Sequence, residues 1–362
     1  MERGGLFDLS SEEDLMKILL SSYAFYPSVG GIEAVSAILA EEFIGQGHEL
    51  KVLTHTPEQG GRTFPYEIIR RPSIFRLIRT VGWSDVVLHI NISLQTGWPL
   101  LLTTKPWIIT HQTWIPKSIL GGLKQRCALA AHNISISGAI AAHIGTQSTI
   151  IPNPYDNEVF HENAGLRRDQ DLVFVGRLVS DKGVRCAFAA LHLLKQRQIT
   201  PNFTIIGGGP EEAALRKLAF DFGIADQVSF VGVKQGGELA RELCRHKVIV
   251  IPSLWEEPFG IVALEGIASG CVAIGSSGGG LKDAIGPCGV TFPNGNASAL
   301  AACLAELLSD QTKLSAYRQR AKAHLAGFTK QIVAQGYLAV MQRALNASLS
   351  SVSTRVRPEN RC

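Results

Sequence analysis

The sequence predicts an α/β protein of two doubly wound domains with parallel sheets. Three observations predict it. Short apolar runs alternate with amphipathic stretches along most of the chain, as crossover connections over a sheet buried on both faces require. The loops after those runs are rich in glycine, 36 residues in all, as where backbone approaches a ligand closely. A length of 362 residues is too much for one comfortable core and suits two domains of ordinary size.

Taken in order, residues 1–15 read as an extension, because the run Met16-Lys17-Ile18-Leu19-Leu20 already resembles a start followed by a buried strand. That strand covers 17–23. The following helix, 32–46, puts Ile32, Val35, Ile38, Leu39 and Phe43 on one face. Strand-like runs recur at 49–54, 66–71, 85–90, 107–111 and 133–137, with helical stretches such as 120–131 between several of them. The segment 150–160, IIPNPYDNEVF, closes the first unit. Its prolines push the residues before them toward extended geometry, and its Asn and Asp residues favour turns.

The alternation then restarts. Strands are expected at 171–176, 203–207, 228–231, 248–252 and 272–275, with helices at 184–198, 211–222, 238–244 and 260–269. The last part is helical: 297–308, 313–325 and 331–345. The resulting plan is a first domain over 16–152 and a second over 153–328. A terminal helix, 329–346, and a disordered polar tail, 347–362, follow. In sheets of this kind ligands sit beyond the carboxyl ends of the strands, so the chemistry belongs in the loops after them.

Composition narrows the partners. A formal charge of +4 is too mild for a nucleic-acid footprint. Seven scattered cysteines with no Cys-x-x-Cys pair read as reduced core thiols of a cytoplasmic protein and offer no zinc site. No apolar run reaches the roughly 18–20 residues that span a bilayer. The apolar segment 18–26 follows Glu12, Glu13 and Asp14, the wrong flank for an export signal.

Three loops carry candidate chemistry. The first is the pair of glycine turns, Gly30-Gly31 and Gly207-Gly208-Gly209, each opening a helix where backbone N–H groups and the positive dipole end can meet a phosphate. Neither matches G-x-G-x-x-G or the P-loop pattern, and a plain turn explains a glycine pair equally well. The second is GRLVSDKG at 176–183. Arg177 offers a fork of donors and Lys182 a compact charge, together able to neutralise a diphosphate; a solvated loop is the bland alternative. The third is PSLWEEPFGIVALE at 252–265, with Glu257 in a loop and Glu265 on an otherwise apolar helix, where a carboxylate needs a partner. Ribose hydroxyls or a structural arginine would both serve. Paired carboxylates also occur in glycoside hydrolases, but the adjacent cationic loop suits a charged leaving group better.

In this order the blocks resemble glycosyltransferase family 4 (group 1), retaining enzymes with the GT-B fold of two Rossmann-like domains facing across a cleft. The similarity runs from about Met16 to Leu345 and rests on KILLSSYAFYPSVGGIE, IPNPYDNEVF, GRLVSDKG, the GGGP turn, EPFGIVALE and GSSGGGLKDAI. The resemblance implies that Arg177 and Lys182 hold the diphosphate of a nucleotide-sugar donor, aided by the amides of Gly30 and Gly31, with Gly208 at the donor site. It implies Glu265 on the ribose hydroxyls and Glu257 on the transferred sugar beside the backbone of Phe259, Gly260 and Ile261. His111 is then expected to approach the reacting carbon, with His89 and Asn91 behind it and Trp114 as a platform for the acceptor. The implied reaction is transfer of a hexosyl group from a UDP- or GDP-linked sugar to a saccharide or lipid-linked acceptor, with no metal and no further cofactor. A phosphorylase or other sugar-nucleotide enzyme of the same fold, or a non-catalytic sugar-nucleotide-binding protein, is the rival reading. Neither the donor base nor an oligomeric state is written in a side-chain pattern.

One charge cluster stands apart from these blocks. Arg62, Arg70, Arg71, Arg76 and Arg79 face only Glu67 in sequence, so this part of the first domain is expected either to be a solvated face or to meet an anionic acceptor or membrane surface, on the inner face of the cell membrane.

Overall fold

Runs such as Lys17–Ser22 and His246–Ile251 send alternate side chains to opposite faces, and both faces are buried. Ile18 and Leu20 enter one core while Leu19 enters another; Val248 and Val250 are likewise separated from Ile249 and Ile251. The computed structural model describes residues 15–28, 30–58 and 61–355, the side chains of 351–355 excepted. Among these residues there are two parallel sheets.

The first holds β1 (Lys17–Ser22), β2 (Glu49–Thr54), β3 (Glu67–Arg70), β4 (Val86–Ile90), β5 (Trp107–His111), β6 (His132–Ser135) and β7 (Ser148–Ile150). Its order is β3-β2-β1-β4-β5-β6-β7. Its helices are α1 (Gly31–Gly45), α2 (Ile74–Trp83), α3 (Leu94–Gly97), α4 (Ile119–Leu129) and α5 (Gly138–Ile144).

The second holds β8 (Gln170–Val175), β9 (Phe203–Ile206), β10 (Val228–Phe230), β11 (His246–Ile251), β12 (Val272–Ser276) and β13 (Gly289–Phe292), in the order β10-β9-β8-β11-β12-β13. Around it lie α6 (Val184–Lys195), α7 (Glu212–Asp221), α8 (Gly236–Cys244), α9 (Ile261–Ala268) and α10 (Leu281–Ile285). Three more helices follow it, α11 (Ala297–Ser309), α12 (Gln311–Gln319) and α13 (Ala321–Leu325). The last, α14 (Lys330–Arg355), returns to the first domain.

The return is anchored by Tyr337, fully buried among Ile18, Phe25, Leu39 and Phe43, with Oη 2.8 Å from Thr110 Oγ1. The two chain crossings between the domains run side by side. Tyr155 N donates to Phe328 O, and Tyr155 and Thr329 form a parallel bridge. Lys330 Nζ reaches Glu158 at 2.8 Å and lies near Asp156 and Glu42. A third connection is made by packing, because Ile140 and Ile144 of α5 share a core with Phe259, Leu281 and Ile285 of the second domain.

The structure departs from the sequence expectations in three places. The expected tail from 347 is helical through Arg355, since a helix once nucleated propagates beyond its packed part; 356–362 and most of the 1–15 extension lie outside the described residues. The helix expected at 313–325 is two helices. Asp310 caps the first through Thr312 N and Lys313 N, and a tightened turn at Arg320 ends it. β7 and β13 are added at the sheet edges, too short and too exposed to announce themselves as apolar runs. The described cysteines are free, and all but half-buried Cys303 are buried; burial pushes the Cys271 thiol up to about 12 and Cys288 to about 11, as for inert core residues.

Candidate active site

Each sheet has a switch point where the chain, having wound outward, returns to the other side of its first strand. In the second sheet this lies between β8 and β11, and the crevice beyond their carboxyl ends is where such folds bind ligands. β8 delivers the loop holding Arg177 and Lys182. β11 delivers the loop holding Glu257. The two loops are locked together: Leu254 N donates to Asp181 O at 2.8 Å, and Gly183, at φ +69°, packs so tightly that a Cβ would run into the Pro252 carbonyl. Lys182 Nζ is thereby brought 2.6 Å from Glu257 Oε1, which also accepts from Ser253 Oγ at 2.6 Å. Their side chains are 25% and 12% exposed, so the pair faces the cleft without being immersed in solvent. Arg177 is exposed, with no ion pair among the described residues.

Glycines hold these loops in place. Gly207 and Gly209 leave room for Gly176 and Leu178, whose backbone a Cβ on either would strike, while Gly208 is less crowded and accepts from Leu178 N through its carbonyl. On the other side, Gly280 N donates to Glu257 O at 2.7 Å, and a Cβ at Gly279 would run into that same carbonyl. Gly260, at φ +112°, turns the chain into α9; Phe259 before it is buried and Ile261 after it packs on the cores of both domains. Glu265 lies half-buried on α9 with no hydrogen-bond or ion-pair partner among the described residues, and burial, then Asp156, push its carboxyl up to about 7.

The first domain meets this loop system at several points. Gly31, at the start of α1, lies where a Cβ would come 3.7 Å from Ile261 Cδ1, so the amino ends of α1 and α9 face each other across the cleft. Two positive dipole ends thus face one another at the cleft that the Lys182 and Glu257 loops border. Gly30 caps α1, and Glu33 folds back over it with its Oε1 accepting from Ser28 Oγ at 2.8 Å, so an anion already sits near that end. Trp114 Nε1 donates to Glu256 O at 2.8 Å, Ser137 Oγ to Pro258 O at 2.7 Å, and Gly138 N to Asp283 Oδ2 at 3.1 Å.

Trp114 and Ser137 are therefore cross-cleft donors. Trp114, expected as an acceptor platform, spends its indole N–H on the second domain. Ser253 and Ser137 were missed by sequence reasoning. Ser253 stands four residues before Glu257, a spacing that could have suggested it, whereas nothing in the sequence links Ser137 to Pro258.

His111 ends β5 as the sequence suggests, but its ring is buried and its Nε2 lies 2.9 Å from Asn133 Oδ1; burial lowers its pKa. Asn133 is pinned in turn to Ala128 O and Ala131 O. His89 is fully enclosed between Trp107 Nε1 and Thr96 Oγ1, its pKa lowered by burial to about 3. Asn91, at φ +63°, accepts from Gln112 N and braces the turn after His111. Four of the five clustered arginines find local partners. Arg62 pairs with Glu41, Arg70 bonds the carbonyls of Tyr26 and Thr56, Arg71 that of His55, and Arg76 pairs with Glu67. Among the described residues no group of three or more His, Cys, Asp or Glu is placed to hold a metal ion.

Residues 156–324 match the family model of glycosyl transferases, group 1. The matched group 1 segment holds Arg177, Lys182, Glu257 and Glu265. The chain is 36% identical over 156 residues to the glycogen synthase of Mycobacterium tuberculosis, covering 41% of this chain and 37% of that protein. It is 29% identical over 226 residues to the D-inositol 3-phosphate glycosyltransferase of Mycobacteroides abscessus, covering 60% and 49%. The chain spans about a third to a half of the length of the curated relatives it matches. Among solved structures, a glycosyltransferase from Rickettsia africae superposes with a TM-score of 0.76 over 92% of this chain and 99% of that one, at 15% identity. Anabaena HepE in complex with UDP gives 0.75 over 91% and 100%, at 16% identity. The fold is GT-B.

Proposed function

We propose that the chain is a retaining, metal-independent glycosyltransferase that moves a hexosyl group from a nucleoside-diphosphate sugar to a saccharide or lipid-linked acceptor, in polysaccharide or glycoconjugate assembly. The observation that carries the reading is the Lys182–Glu257–Ser253 cluster at the switch point of the second sheet, on loops of which the first also carries Arg177. HepE, a structural neighbour, was solved with UDP, which supports a nucleoside-diphosphate donor. When the donor enters, Lys182 Nζ and Arg177 turn to the diphosphate oxygens while Glu257 accepts from hydroxyls of the sugar. The unpartnered carboxylate of Glu265 accepts from the ribose.

The bond from the anomeric carbon to the diphosphate breaks as the acceptor oxygen bonds that carbon on the same face. The acceptor proton passes to the departing phosphate oxygen. Fixed cations and the opposed helix ends stabilise the charge on that oxygen, the usual source of most catalysis in preorganised sites. His111 acts here by holding the β5 edge of the sugar site through its contact with Asn133. The cross-cleft bonds of Trp114 and Ser137 close the site against water.

The test is thermal unfolding with UDP, GDP, ADP, TDP and NAD, each with and without EDTA, followed by donor turnover and assignment of the product's anomeric configuration. A ligand at about 100 times its dissociation constant adds about 2.7 kcal/mol. Stabilisation by one diphosphate, unchanged by EDTA, and a product of the donor's configuration are expected. A response to NAD alone, or inversion, overturns the reading.

A further inference from the structure

The first domain carries a surface used by neither the cleft nor the core. α2, α3 and α4 form one layer, on the face of the sheet opposite α1 and α14, tied to Leu19 and Val87 through Leu77, Val81 and Cys127. Serine caps set where the two longer helices begin: Ser73 Oγ accepts from Arg76 N and Ser118 Oγ from Gly121 N. The first turns so fixed present large apolar side chains to solvent. Ile74 is 63% exposed and Phe75 86%; Ile119 is 88% exposed and Leu120 62%. Leu101 and Leu102, between α3 and β5, extend the surface. Single exposed apolar residues are ordinary, but neighbouring helices of one layer presenting them together mark an interaction face.

The charge on this layer has one sign. From Val86 to Tyr155 the sequence contains no Asp or Glu, while Lys105, Lys117, Lys124 and Arg126 are cationic. α2 adds Arg76 and Arg79 with no acid, and Glu67 beside it is shared between Lys51 and Arg76. Arg79, Lys117 and Arg126 have no ion pair among the described residues. An apolar recess of about 320 Å³ lies between α3 and α4, lined by Leu94, Trp98, Leu101 and Leu123 with Arg126 among them. α2 and α4 both begin beyond the carboxyl ends of β3 and β5, so their exposed first turns lie along the sheet edge that borders the cleft.

We infer that the α2–α3–α4 layer docks on an anionic lipid bilayer, with Phe75 and Ile119 entering the interfacial region and Arg79, Lys117 and Arg126 against lipid phosphates. Interleaved cations and apolar side chains without carboxylates suit such a surface. A second copy of this chain suits it less, because a symmetric contact would set cation against cation. Docking in this way holds the mouth of the cleft at the membrane, within reach of an acceptor anchored there.

The full chain is floated with vesicles of phosphatidylcholine alone and of phosphatidylcholine with phosphatidylglycerol. Binding to the anionic vesicles, weakened by salt, is expected. Each cation near such a surface contributes about fivefold to partitioning, so R79E with K117E lowers it at least about 25-fold. F75S and I119S each lower it about tenfold or more. These exposed positions lie outside the nucleotide site, so the variants retain the wild-type unfolding midpoint and its response to nucleoside diphosphates. Absence of binding to anionic vesicles overturns the inference. So does binding indifferent to lipid charge, or a wild-type dimer that F75S splits without any vesicle binding. Because vesicle binding is read without turnover, its failure is distinct from failure of the transferase reading.

Discussion

Lys182 Nζ lies 2.6 Å from Glu257 Oε1 although 75 positions separate them in the chain. In the ligand-free arrangement the cation proposed for the diphosphate and the carboxylate proposed for the sugar pair with each other. The pair holds both side chains at the site before a ligand arrives, which is the preorganisation that a charge clamp needs.

Removing one member of that pair should therefore separate binding from turnover. Lys182→Ala loses a charge-assisted contact, worth about 1.5–3 kcal/mol, and should weaken nucleoside-diphosphate binding about ten- to hundredfold by calorimetry. Glu257→Gln should lower kcat by about 10²–10³ while leaving nucleotide affinity within a few-fold. Wild-type turnover in Glu257→Gln would remove that residue from the sugar site.

Glu265 gives the site a pH dependence. Its carboxyl is raised from 4.5 to about 7 by burial and by Asp156. If the ionised form accepts from ribose hydroxyls, nucleotide affinity should rise about tenfold from about pH 6 to about pH 8 and then level off. Stability of the empty protein runs the other way: a raised carboxyl pKa makes the folded state bind more protons, so stability falls as pH rises from about 4.5 to about 7. Glu265→Gln should flatten both profiles. A steep affinity profile in that variant would assign the titration elsewhere.

Gly280 packs tightly against both the Glu257 loop and the first domain. A Cβ there would run into Pro258 O and come 2.6 Å from Ser137 Oγ. Gly280→Ala should destabilise by about 1–3 kcal/mol, as overpacking does, and should reduce turnover further by shifting Glu257. Denaturant unfolding together with kcat checks both.

Trp114→Phe keeps the ring and removes its donor to Glu256 O. One hydrogen bond is worth about 0.5–1.5 kcal/mol, so the closed arrangement should be disfavoured by about two- to tenfold. Small-angle scattering should show a larger radius of gyration with the stability of each domain unchanged.

Tyr337→Phe should cost about 1 kcal/mol through its lost contact with Thr110, and Tyr337→Ala about 3–5 kcal/mol. The loss should appear in unfolding of the first domain, where the terminal helix packs.

The sequence by itself determined the α/β class, the alternation that builds the strands, and the candidate residues Arg177, Lys182, Glu257 and Glu265. It could do so because burial on both faces writes continuous apolar runs, and because Arg177, Lys182 and Glu257 follow strands and Glu265 lies on the next helix, where this class of fold places its ligands. The short edge strands β7 and β13 escaped it, since half-exposed strands of three or four residues leave no such run. Only the tertiary structure decided that Lys182 pairs with Glu257, that Trp114 reaches Glu256 across 142 positions, and that α1 and α9 oppose their amino ends. It also set Arg62, Arg70, Arg71 and Arg76 on local partners and revealed the apolar, cationic layer of α2, α3 and α4 that carries Arg79. The reason is physical: periodicity reports which side of an element is covered, through neighbours two to four residues away. What covers it, and which loops meet, depends on strand order and domain closure, which join residues that no local pattern connects.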